Sequence, residues 1–169
     1  MEMAEVHPTL SPSMDIQVSS NVERLLFELL DRSSEGVVEF MAQFREDGRA
    51  EVDASRMAAV GEVFDGARFD DEATKAEIAR TYAATGVLID PHTAVGLAAA
   101  RAMRRDPAHP MVVLATAHPA KFPDAVEAAT GVRPPLPDFL ADLLDRTESF
   151  TALPADLATL QQFVRDHIS

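Results

Sequence analysis

The stretch HPMVVLATAHPAKF, His109 to Phe122, constrains this chain more than any other. Its run Met111–Leu114 is continuous, apolar and of strand length, the pattern of a strand buried on both faces. Such a strand needs neighbours in a sheet, because its backbone N–H and C=O groups cannot stay unpaired. A second short apolar run, Val87–Ile89, is the only other strand candidate. Nearly everything else carries helical signals. The expected fold class is therefore α/β and predominantly helical, with one or two strands that belong to a larger parallel sheet. The remaining strands of that sheet must lie elsewhere.

The helical signals are local. SSNVERLLFELLDR has Ser20 or Asn21 as a cap, Glu23 in the first turn and an apolar stripe at Leu25, Leu26, Leu29 and Leu30. SSEGVVEFMAQFREDG places Val37, Val38, Phe40, Met41 and Phe44 as its apolar residues, and Gly48 stops it. DASRMAAVGEVF reads as a shorter helix. FDDEATKAEIARTYAATG is capped by Asp70 or Asp71 and closed by Gly86. DPHTAVGLAAARAMRR opens with Asp90 at the cap and Pro91 at the first helical position, a strong start signal. Its run Val95–Ala100 leaves little polar surface, so deep packing close to a neighbour is expected. PDAVEAATG, PDFLADLLDR and PADLATLQQFVRDHI read as three further helical segments.

Composition closes off several classes. Hydrophobic residues make up 47% of the 169, enough for an ordered domain with a sizeable core. A formal charge of −13 opposes a nucleic-acid or anionic-membrane partner, because both need a basic face. No apolar run approaches the roughly 20 residues that span a bilayer. The opening MEMAEV is acidic, unlike a signal peptide. The absence of cysteine fits a reducing cytoplasm.

Three stretches carry chemistry-bearing residues. In LATAHPAKF, Thr116 and His118 stand where a strand ends, followed by Lys121, and ligands in open α/β sheets bind beyond such ends. Small Ala115 and Ala117 let a ligand come close. Ordinary polar capping of a strand end explains the same residues, and spacing alone favours it. In DPHTAVG, His92 and Thr93 lie in a first helical turn, whose amides can hold an anion or simply be capped. His92 and His118 lack the spacing of a metal pair, and no metal is expected. The third stretch, TLSPSMDIQVSSN, Thr9 to Asn21, has no helical or strand period and the polarity of a binding loop. The acidic pair Asp70–Asp71 reads as a solvated cap.

Together, TLSPSMDIQVSSNVERLLFELL, IDPHTAVGLAAA and VLATAHPAKFPDAVEAATG resemble the C-terminal part of threonine synthase, in that family's order and across essentially the whole chain. The resemblance implies a fold type II pyridoxal-phosphate enzyme that converts O-phospho-L-homoserine and water to L-threonine and phosphate. The Schiff-base lysine and the Gly-rich phosphate loop of that family lie in its N-terminal part, and neither motif is present here. Lys75 and Lys121 do not sit in the lysine motif. The resemblance assigns the pyridine-nitrogen contact of the cofactor to Thr116, and an active-site loop to Ser11, Ser13, Asp15 and Asn21. It assigns no catalytic residue.

The expected organisation is a single segment, 1–169. Residues 1–20 form the active-site-type loop and 21–86 a helical region. Residues 87–130 form the strand-and-helix part of the cofactor domain, and 131–169 the C-terminal helices. The expected function is that of a threonine synthase C-terminal part, inactive alone and without covalently bound pyridoxal phosphate. An N-terminal half is its expected partner, and self-association through the unpaired strand is a further expectation. The rival reading is a stand-alone helical interaction or assembly module that reuses the family's sequence without its cofactor. An upstream reading frame carrying the lysine motif discriminates between them.

Overall fold

The computed structural model describes residues 1–168. Its helices, in chain order, are α1 (Ser20–Leu29), α2 (Ser34–Asp47), α3 (Ala54–Val63), α4 (Asp71–Thr85), α5 (Pro91–Met103), α6 (Pro123–Thr130) and α7 (Leu157–His167). The chain divides into two compact units, Met1–Pro135 and Leu136 onward.

The first unit holds two apolar clusters. One joins α1 to α2 through Leu26, Phe40, Met41, Phe44 and Ala50. Phe40 and Phe44 are four residues apart, so they share one face of α2. Phe44 is fully buried, which is worth about 1.5–3 kcal/mol relative to exposure. Gly48 ends α2 at φ 70°, a left-handed conformation that costs glycine nothing. The second cluster, Ile78, Ala94 and Val126, ties α4, α5 and α6 together. Beside it the buried Glu77 carboxylate accepts from Arg101 Nε at 2.8 Å, joining α4 to α5.

The helix starts follow capping chemistry. Asp70 accepts from Ala73 N–H at the start of α4, and Asp90 accepts from His92 and Thr93 N–H at the start of α5. At α1 the cap is Ser19, rather than Ser20 or Asn21, and its side chain makes no capping bond. The packing of α5 is graded rather than deep throughout. Pro91–Val95 are buried, Gly96–Ala100 half-buried and Arg101–Met103 exposed. Gly96 marks the close approach: a Cβ there would stand 3.4 Å from Val113 Cγ1.

Among the described residues the expected strands do not form. Met111–Leu114 and Val87–Ile89 have no ladder partner, and the pairing among the described residues is one isolated antiparallel bridge, Glu2 with Arg49. Nor is Met111–Leu114 buried on both faces, since Val112 is 86% exposed and Leu114 75%. A strand exists by hydrogen bonds to a neighbour, and no described segment lies alongside to supply them.

In the second unit, PDFLADLLDR was expected to be helical but forms two single 3₁₀ turns, Asp138–Leu140 and Leu143–Asp145. Phe139 and Leu144 are exposed there. So short a helix is marginal without an apolar surface to pack on. Helix α7 starts at Asp156, which accepts from Thr159 N–H at 2.8 Å, and it has no buried residue.

Candidate functional site

The start of α5 organises the site. Asp90 is completely buried, and all its bonds are local. Its Oδ2 accepts from His92 N–H at 3.0 Å and faces His92 Nδ1 at 2.8 Å. Its Oδ1 accepts from Thr93 N–H at 3.2 Å and from the Thr93 hydroxyl. His92 and Thr93 each reach outward from this carboxylate. Ser13 N–H donates to His92 Nε2 at 3.2 Å, and Thr116 N–H donates to Thr93 Oγ1 at 3.2 Å. The His92 ring also lies against Phe122, with centroids 4.8 Å apart.

The loop Thr9–Asp15 is closed by its own polar groups. Asp15 accepts from Thr9 N–H and from the Thr9 hydroxyl, both at 2.7 Å. That leaves the Ser11 hydroxyl to donate to Thr9 Oγ1, at 3.2 Å. Pro12–Met14 is a 3₁₀ turn. Leu10 N–H donates to Asp71 Oδ1 at 2.9 Å, which fastens the loop to the start of α4. A cleft of about 360 Å³ opens beside it, with Thr9, Ser11, Asp15, His7 and Arg68 among its polar walls and Phe69 and Val95 among its apolar ones.

The structure thus unites some of the sequence-derived site residues and leaves others apart. Ser11 and Asp15 line the cleft, and Ser13 is linked to Thr116 through His92, Asp90 and Thr93. Thr116 is exposed, and its hydroxyl has no partner among the described residues, while its main chain is held. Asn21 lies in the first turn of α1, exposed, and does not line the cleft. His118 is not a partner of His92. Its Nδ1 accepts from Ala120 N–H and so caps the turn Pro119–Lys121. Lys75 is engaged on α4 by Glu72, whose carboxylate raises the ammonium above its ordinary range. Asp71, taken from sequence as plain capping, is a loop anchor, and no local signal in the sequence marks a bond that spans 61 positions.

Comparison with known proteins places this architecture in one class of biosynthetic enzyme. Residues 93–164 match the family described as threonine synthase, C-terminal. The threonine synthase of Pseudomonas aeruginosa is 50% identical over 163 residues, which are 96% of this chain and 35% of that protein. The crystal structure of pyridoxal-phosphate-bound threonine synthase from Brucella melitensis superposes with a TM-score of 0.83 at 46% identity, over 98% of this chain and 36% of that one. Yeast threonine synthase superposes with a TM-score of 0.80 at 30% identity, over 98% of this chain and 37% of that one. This chain belongs to the threonine synthase family and corresponds to its C-terminal part. It spans about a third of the length of those relatives.

Proposed function

We propose that this chain works as the C-terminal part of a threonine synthase, an enzyme that takes O-phospho-L-homoserine and water to L-threonine and phosphate. The observation that carries the reading is the Thr116 hydroxyl, held by its backbone, flanked by Ala115 and Ala117 and without a partner among the described residues. Such a hydroxyl suits an aromatic ring nitrogen, so the residues fit pyridoxal phosphate. The cofactor, when bound, supplies an electron sink for elimination and replacement chemistry. Thr116 contributes a neutral hydrogen bond rather than a carboxylate, which leaves ring protonation unforced. Ser11, Ser13 and Asp15 shape the loop beside the cleft. Asn21 belongs to the same assignment by resemblance alone.

The bare run Met111–Leu114 supports a second part of the reading. It takes its place as a strand of a parallel sheet supplied by the N-terminal part of the enzyme. The chain alone is inactive, because Lys75 and Lys121 do not stand in the family's lysine motif. The absence of cysteine suits a reducing cytoplasm. No described helix is long and apolar enough to cross a membrane.

The test is a chimera in which this chain replaces the C-terminal third of the Pseudomonas aeruginosa threonine synthase. Release of threonine and phosphate from O-phospho-L-homoserine is expected. A folded chimera that holds the cofactor and forms neither product contradicts the reading.

A further inference from the structure

We propose that His92 is a positioning residue, one of two arms by which the buried Asp90 carboxylate holds both the loop Thr9–Asp15 and the Thr116 segment. The hydrogens settle the arrangement. Ser13 N–H can only donate, so His92 Nε2 carries a lone pair. The Asp90 carboxylate can only accept, so His92 Nδ1 carries the proton. The ring is therefore fixed as the neutral Nδ1–H tautomer. The Thr93 arm obeys the same logic. Its oxygen accepts Thr116 N–H, so its own hydrogen goes to Asp90.

Each arm donates inward to one buried carboxylate and accepts a main-chain N–H outward. Asp90 is 0% exposed, His92 7% and Thr93 6%, so water does not compete for the inner bonds to the carboxylate, while the two outer bonds are partly buried. Placement of the loop and placement of Thr116 consequently share one origin at the start of α5. Ring packing on Phe122 fixes the plane of the imidazole and adds a third point of support. A carboxylate at position 90 is essential to the pattern. An amide there has one accepting atom, and its NH₂ group cannot take the Nδ1 hydrogen.

For its consequence in catalysis the proposal rests on the reading of Thr116 and the loop given above. The latch itself is independent of that reading and is tested without cofactor or substrate. The full chain, labelled with ¹⁵N, is examined by NMR for the His92 ring nitrogens and for amide exchange at Ser13 and Thr116. The wild-type ring is expected as the Nδ1–H tautomer. His92→Phe keeps the ring but lacks the acceptor, and Ser13 exchange is expected to rise roughly two- to tenfold, the factor one hydrogen bond carries. Thr116 exchange stays unchanged in that variant. His92→Gln, whose amide oxygen reaches the Nε2 position, restores Ser13 protection. Thr93→Val produces the converse, exposing Thr116 and sparing Ser13.

A wild-type ring in the Nε2–H tautomer overturns the proposal, whatever the variants do. So does unchanged Ser13 exchange in His92→Phe, or a loss there shared equally by Thr116 and the amides of α2. An intact latch in a chimera that forms no threonine sinks the functional reading and leaves the latch standing.

Discussion

Thr116 presents a hydroxyl with no partner among the described residues, on a backbone already bound to Thr93. In the chimera, Thr116→Val removes that hydroxyl and nearly keeps the shape. The lost bond is worth about 0.5–1.5 kcal/mol in the ground state, and more where charge spreads into the cofactor ring. Turnover is therefore expected to fall further than cofactor affinity. His118→Ala disturbs only the cap of Pro119–Lys121 and is expected to leave the cofactor's visible spectrum close to wild type. Both variants are read side by side by steady-state kinetics and absorption. Full activity with an unshifted spectrum in Thr116→Val refutes the assignment. At the core, Ile78 is fully buried, and Ile78→Ala is expected to cost about 2–5 kcal/mol in a denaturant titration. Such single residues differ in how far sequence exposes them. Thr116 drew notice at the end of a strand-length run, but its place at the cofactor was read from the resemblance and not from the spacing. The joint role of Asp90, His92 and Thr93 was not, because its outer bonds reach 79 positions back to Ser13 and 23 forward to Thr116.

Among the elements, the starts and stops were the most legible. Asp70 and Asp90 cap as their sequences imply, and Gly48 and Gly86 close their helices with positive φ. These are decisions among neighbours four residues apart, so no tertiary knowledge is required. Gly86 shows what such a position demands. Nothing lies within 4 Å of a Cβ built there, and φ is 72°, so Gly86→Ala meets only backbone strain. The expected loss is about 1–2 kcal/mol, read as a shift of the thermal midpoint. The pH response of α3 follows from its cap. The Asp53 carboxylate is held well below its ordinary range by the Ser55 hydroxyl, the Arg56 N–H and the Arg56 guanidinium. A depressed carboxylate stabilises the fold above its unfolded pKa of about 3.9 and loses that contribution as pH falls through its folded value. Protection of the α3 amides, taken relative to their intrinsic exchange rates, is therefore expected to fall below about pH 4, and Asp53→Asn to abolish that dependence. An unaltered pH profile in Asp53→Asn contradicts the assignment. Residues 137–146 are the element that sequence misjudged. Their apolar spacing describes a face that a helix could bury, but a pattern cannot say whether a surface exists to receive it.

At the scale of the whole molecule, the run Met111–Leu114 dominates. The sequence pattern marked it as a strand buried on both faces, and the described residues show neither the strand nor the burial, because a pattern cannot supply the strands that would pair with it. Its N–H and C=O groups have no ladder partner among the described residues, and unpaired groups of an extended run recruit other chains. The isolated chain is expected to sediment as a dimer or larger species at high concentration, and a clean monomer counts against an open edge. The proposed reading has a matching consequence for chemistry. Pyridoxal phosphate added to the chain alone is expected to give no stoichiometric visible band that disappears on replacing one particular lysine. The most direct measurement is phosphate release from O-phospho-L-homoserine by this chain, by the separately produced N-terminal two thirds of the Pseudomonas aeruginosa threonine synthase, and by the two combined. The account predicts release by the combination, weakened by Thr116→Val, and none by either part. Turnover by this chain alone, or a stable complex of the two parts that binds the cofactor and releases no phosphate, contradicts it.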